Sequence, residues 1–153
     1  MSGVDTRMDL AGQLFGVVGR FRRQLRRSTG GGFDRTGLTQ SQTELLRLVG
    51  RRPDISVREA AAELGLAANT ASTLVSRLTA ENLLIRSVDG ADRRVGRLRL
   101  TAAAQVVADR SRLARRAALD GALRALDDTQ IEDLAKGLAV LGELTRILQE
   151  DQP

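Results

Sequence analysis

A chain of 153 residues, 42% of them hydrophobic, has the length of one ordinary domain and enough apolar material for a real core, so disorder is not the expected state. The absence of both Cys and His excludes disulfides, thiolate switches and Cys-ligated metals, and removes the commonest general base and the commonest transition-metal ligand. The net charge of +5 favours a polyanionic partner, while no apolar run approaches a membrane span and the opening MSGVDTRMDL lacks a signal-peptide core, so a soluble cytoplasmic protein without a membrane partner is expected.

The first helix is expected over residues 5–27, where Leu10, Leu14, Val17, Val18, Phe21 and Leu25 form a helical stripe. Its other face collects Arg20, Arg22, Arg23, Arg26 and Arg27, a pattern read first as a solvated face. Residues 28–37 hold four glycines and read as a loop. Thr39 with Gln42 has capping-box spacing and opens a second helix that buries Leu45, Leu46 and Val49 and ends at residues 50–53. Ser56 with Glu59 repeats the signal for a short third helix, which turns Ala60, Ala61 and Leu64 inward and stops at Gly65.

A fourth helix is expected over residues 68–82, with Ala71, Leu74, Val75 and Leu78 inward and Asn82 as a left-handed terminator. Residues 83–88 and 96–100 form the only convincing strand pair, Leu98 and Leu100 alternating with Arg97 and Arg99, and the sequence Asp89-Gly90 turns the hairpin. Two long helices close the chain. One runs from Thr101 to about residue 125; the other starts near Asp127, capped with Gln130, and carries Ile131, Leu134, Leu138, Leu141 and Leu148 at nearly heptad spacing.

Helix, short helix, Gly turn, polar helix and basic hairpin in this order make a winged helix-turn-helix. The fold class is mainly α with a small β-hairpin wing, built of six helices. A helix fits the major groove, and short polar side chains let its backbone approach the base edges; an Arg-tipped hairpin reaches the neighbouring minor groove. All basic residues but Lys136 are arginine, whose planar fork suits phosphates and guanine edges, although a GC-rich genome explains that bias equally well.

Three stretches carry a resemblance to the MarR (multiple antibiotic resistance) regulators: residues 38–42 (LTQSQ), residues 69–78 (NTASTLVSRL), and Asp92-Arg93-Arg94 with the following Leu100-Thr101. The resemblance spans residues 10–148 and implies a two-fold dimer held by the first, fifth and sixth helices. It also implies a pseudo-palindromic double-stranded DNA operator, a repressor's role, and in many members a small aromatic or anionic effector that weakens DNA binding. Carried over position by position, Asn69, Thr70, Ser72, Thr73, Ser76 and Arg77 fall on the recognition helix; Arg94, beside Arg93, falls where the family inserts an arginine into the minor groove, and Asp92 where a carboxylate orients it. Ala68, Asn82 and Ala104 depart from the family's common Pro, Gly and Gly. The resulting division is a single 1–153 chain with a DNA-binding lobe at 38–100 and dimerisation helices at 5–27 and 101–150, the seam carried by Ile131, Leu134, Leu138, Leu141 and Leu148.

The competing reading is a nonspecific architectural nucleic-acid binder, which the basic balance allows and a precise wing argues against. An enzyme is not expected: there is no phosphate-binding G-x-x-x-x-G-K loop, no G-x-S-x-G elbow and no carboxylate pair in an apolar setting, and no cofactor or metal is called for. Phe15, Phe21 and Phe33 could line an effector pocket, but Phe15 and Phe21 are expected in the core. Arg51 and Arg52 are equally suited to phosphates and to solvent.

Overall fold

The structure, a computed structural model, describes residues 3–30, 32–35 and 37–151, so the ends of the expected 1–153 unit lie outside the described residues. The described elements are α1 (Gly3–Ser28), a 3-10 turn (Gly32–Arg35), α2 (Gln40–Arg51), β1 (Ile55–Ser56), α3 (Val57–Leu64), α4 (Ala68–Ala80), β2 (Leu84–Val88), β3 (Gly96–Leu100), α5 (Ala102–Leu123) and α6 (Asp128–Glu150). Mainly α with a small hairpin, this is the expected winged helix-turn-helix with its six helices.

Local signals set the helix ends where the sequence puts them. Thr39 and Gln42 exchange both capping-box bonds, as do Ser56 and Glu59, and Asp127 and Gln130. Gly65 at φ 63° and Asn82 at φ 57° stop α3 and α4 in the left-handed region. Each is followed by a paired closure: Leu66 N–H donates to the Ala61 carbonyl and Gly65 to Ala62, while Leu83 donates to Leu78 and Asn82 to Thr79. Asn82 thus performs the role for which glycine is commoner.

The core lies inside residues 33–108. Leu45, Leu46, Leu48 and Val49 of α2 meet Val75 and Leu78 of α4, Leu84 of β2 and Leu98 and Leu100 of β3, and Ala104 and Ala108 of α5 close it. Each fully buried Leu or Val contributes about 1.5–3 kcal/mol, so this cluster dominates the stability of the lobe.

Three expectations are corrected. The hairpin is not the whole sheet: Ile55 and Ser56 pair antiparallel with Leu98 and Arg97, giving the order β1-β3-β2. Residues 28–37 are not simply a loop, since the 3-10 turn places Phe33, only 1% exposed, in the core. Gly32 permits this approach: at φ +45° it lies where any Cβ would meet Ser111 Oγ of α5 at 2.6 Å. Conversely, Phe15 and Phe21 are not core residues of the single chain; they are 84% and 52% exposed. They sit on α1, where Leu10, Leu14 and Val17 are exposed as well and Val18 and Leu25 are half-buried.

A candidate nucleic-acid interface

α4 buries one stripe, Ala71, Val75 and Leu78, at i, i+4 and i+7, against the lobe. The remaining face presents Asn69, Thr70, Ser72, Thr73, Ser76 and Arg77, every one exposed. Thr73 donates its hydroxyl to the Asn69 carbonyl at 2.9 Å, and Arg77 lies 3.8 Å from Glu81. The N-cap residue Ala67 offers no side-chain acceptor to the first turn.

The wing is tied down from within. Asp89 N–H donates to the Val95 carbonyl, Asp89 Oδ1 accepts from the backbone N–H groups of Ala91 and Asp92, and Asp92 Oδ1 accepts the Arg94 N–H at 3.0 Å. Asp92 therefore orients the backbone of Arg94 rather than pairing with its guanidinium. Among the described residues, Arg93 and Arg94 make no ion pair, and both side chains project into solvent.

The arginines of β3 behave differently. Arg99 meets Asp54 in a fork-to-fork pair with both distances 2.6 Å. Arg97 reaches Asp89 at 2.8 Å, the Asp54 carbonyl at 3.3 Å and Glu59 at 3.6 Å. Arg99 holds Asp54 below the usual carboxylate range; bonds from Ser56 do the same for Glu59, and bonds from Ala91 and then Arg97 for Asp89. These residues join the hairpin to β1 and the start of α3, which fixes the wing relative to the helix-turn-helix. Nothing in the sequence marks Arg97 and Arg99 as neutralised and Arg94 as unpaired.

α4 and the wing flank one concavity of about 670 Å³. Ser72 lines it from α4, Asp92 and Arg94 from the wing, Arg58 from α3 and Arg86 from β2. Of the residues expected from the sequence, Ser72, Asp92 and Arg94 meet at this concavity, while Asn69, Thr70, Thr73, Ser76, Arg77 and Arg93 do not line it. Arg51 is exposed, while Arg52 lies 3.8 Å from Glu63; neither lines this concavity.

Residues 36–95 match the sequence model of the MarR family. This lobe is similar to the MarR family. The likeness in fold extends over nearly the whole chain. Streptococcus pneumoniae FabT in complex with DNA superposes with a TM-score of 0.79 at 18% identity, over 93% of this chain and 99% of that one. A MarR family protein from Bacillus stearothermophilus gives 0.73 at 20% identity, over 95% and 99%. The PcaV regulator of Streptomyces coelicolor, in complex with its natural ligand, gives 0.59 at 23% identity, over 92% of each chain. No curated protein sequence matches the chain.

Outside this lobe, α6 lies open. Ile131, Leu134, Leu138 and Leu148 are 38%, 41%, 58% and 67% exposed, and Leu141 is half-buried; Val140, Leu144 and Ile147 are exposed as well. Among the described residues, no helix is long and apolar enough to cross a membrane, and no group of His, Cys, Asp or Glu is placed to hold a metal ion.

Proposed function

We propose that this chain is a sequence-specific DNA-binding transcriptional regulator that works as a homodimer, with residues 38–100 reading DNA and residues 5–27 and 101–150 joining the subunits. The observation that carries the proposal is the concavity lined by Ser72 of the exposed polar α4 surface on one side and, on the other, by Arg94 of the braced hairpin, whose guanidinium has no partner among the described residues. In this reading α4 enters the major groove, where Asn69, Thr70, Ser72, Thr73, Ser76 and Arg77 meet base edges and phosphates. Arg94, held by the Asp92 turn and flanked by Arg93, enters the adjacent minor groove, where a narrow A/T-rich segment concentrates negative potential. FabT, similar in fold, is known in a complex with DNA.

The open apolar faces of α1 and α6 support a second copy as the occupant of the seam. Leu10, Val17 and Phe21 on α1 and Leu138, Val140 and Leu148 on α6 are each more than half exposed, which a soluble chain does not ordinarily sustain over two whole helices. A two-fold pair sets the two α4 helices about 34–36 Å apart, one turn of a pseudo-palindromic operator. Its role is repression, relieved by a small-molecule effector that favours a spacing unable to span consecutive major grooves. PcaV, also similar in fold, holds its natural ligand.

The test is a comparison, at fixed salt, of affinity for an inverted-repeat duplex recovered by selection and for a scrambled duplex of the same composition. Preference of about 10³-fold or more is expected of a specific regulator. Equal affinities with a steep salt dependence would instead make the protein an architectural binder.

A further inference from the structure

Adjacent major and minor grooves of one duplex are separated by a single sugar–phosphate strand. Whatever side chains lie between a helix in the first and a hairpin in the second must therefore face that strand. On this lobe the intervening space is the 670 Å³ concavity, and its two further basic residues are Arg58, in the first turn of α3, and Arg86, in the middle of β2. Among the described residues neither guanidinium has an ion-pair or hydrogen-bond partner, in contrast to those of Arg97 and Arg99 on the neighbouring strand. The floor beneath them is small and apolar, including Ala61, Ala62 and Gly96, so a strand can come close. The one carboxylate in the lining, Asp92, is engaged by the Arg94 N–H.

Gly96 has a particular part in this. A Cβ there would collide with Arg86 Nε and lie 3.0 Å from its Nη2, so the bare backbone is what lets the Arg86 side chain lie across the base of the wing. We propose that Arg58 and Arg86 form a two-point clamp on the phosphate strand lying between α4 and the wing, with Gly96 as the seat of Arg86. This inference rests on the DNA-binding reading above.

The experiment measures fluorescence anisotropy of the selected inverted-repeat duplex and of its scrambled counterpart from 50 to 200 mM salt, for the wild type, Arg58→Gln, Arg86→Gln, Gly96→Ala and the control Lys136→Gln, an exposed residue of α6 outside the lobe. Each phosphate contact contributes about 0.9 to the slope of log affinity against log salt, so a dimer changed on both subunits loses about 1.8. Arg58→Gln and Arg86→Gln should each show that loss on both duplexes alike, narrowing the affinity change over this salt range by about tenfold. Gly96→Ala keeps the charge but unseats it, and should weaken binding at an unchanged melting temperature, while Lys136→Gln keeps the wild-type slope. Wild-type slopes in both Arg58→Gln and Arg86→Gln would overturn the clamp while leaving the DNA-binding reading intact. A loss confined to particular base substitutions would also overturn it, by assigning the two arginines to base edges. Failure of the wild type to bind either duplex at 50 mM salt would remove the DNA-binding reading and the clamp with it.

Discussion

Replacing Leu138 and Leu141 with Glu should separate the subunits. Leu138 is 58% exposed on the single chain, and burying a whole Leu side chain contributes about 1.5–3 kcal/mol, so covering its exposed part gives about 1–2 kcal/mol. Two-fold symmetry counts it twice, making about 2–4 kcal/mol lost from this position alone, a weakening of the dimer by about 30- to 1000-fold. Leu141, half-buried within its own chain, adds to the loss, and the two introduced carboxylates must also be desolvated or excluded from the seam. Lys136→Glu is the control. It lies two residues away, about 200° round the helix, and should leave the dimer intact. Analytical ultracentrifugation across a concentration series gives the dissociation constant, and circular dichroism confirms that both variants stay helical. An undiminished dimer in the double variant would place the seam elsewhere and refute the reasoning.

Arg94→Ala should weaken operator binding by about 1–3 kcal/mol per contact with the melting temperature unchanged, because the Arg94 guanidinium has no partner among the described residues; undiminished affinity in a titration would show that the wing contributes nothing. Phe33→Ala should cost about 3–5 kcal/mol of stability, read from chemical denaturation, since the ring is 1% exposed; a loss below 1 kcal/mol would mean that the 3-10 turn is not part of the core. Asp54, Glu59 and Asp89 have folded-state pKa values below the usual carboxylate range, so the stabilisation they give is complete above the unfolded values of about 3.9–4.3 and is lost as pH falls through the lower folded ones. Melting temperature should accordingly fall between about pH 5 and pH 3, and less steeply in Asp54→Asn/Asp89→Asn, which starts lower at pH 7; an identical acid slope in that variant would contradict the bracing role of these pairs.

The parts of this fold that were legible in the sequence are those written locally. Three capping boxes and the two left-handed stops at Gly65 and Asn82 depend on residues within one helical turn of each other, and all five form as expected. The alternation of Leu98 and Leu100 with Arg97 and Arg99 likewise gave the inner face of β3. What escaped depends on distant residues. β1 is two residues long and exists because β3 offers Leu98 and Arg97 to pair with, while Asp54 before it takes φ 66°, which no propensity foretells. Phe33 is buried because α5 brings Ser111 beside Gly32 across the length of the lobe. Phe15 and Phe21 were misjudged for the opposite reason, since a helical stripe shows that a face is to be covered without saying whether the cover comes from the same chain.

The candidate interface divides in the same way. The polar face of α4 and the wing tip could be picked out by spacing and by likeness to a family pattern. Charge alone could not sort the arginines. Arg99 is neutralised by a carboxylate 45 positions earlier, while Arg58 and Arg86, equally unremarkable in the sequence, converge with Arg94 on one concavity only after folding.

The proposed function requires paired subunits to set α4 and the wing into neighbouring grooves of one duplex. Selection of binding sites from a random duplex library, followed by hydroxyl-radical footprinting of the enriched site, is the decisive experiment. An inverted repeat with half-sites about 10–10.5 base pairs apart, or a multiple of that spacing, and with protected minor-groove flanks is the predicted result. Enrichment of no site, or of a single unrepeated site with unprotected flanks, would contradict it.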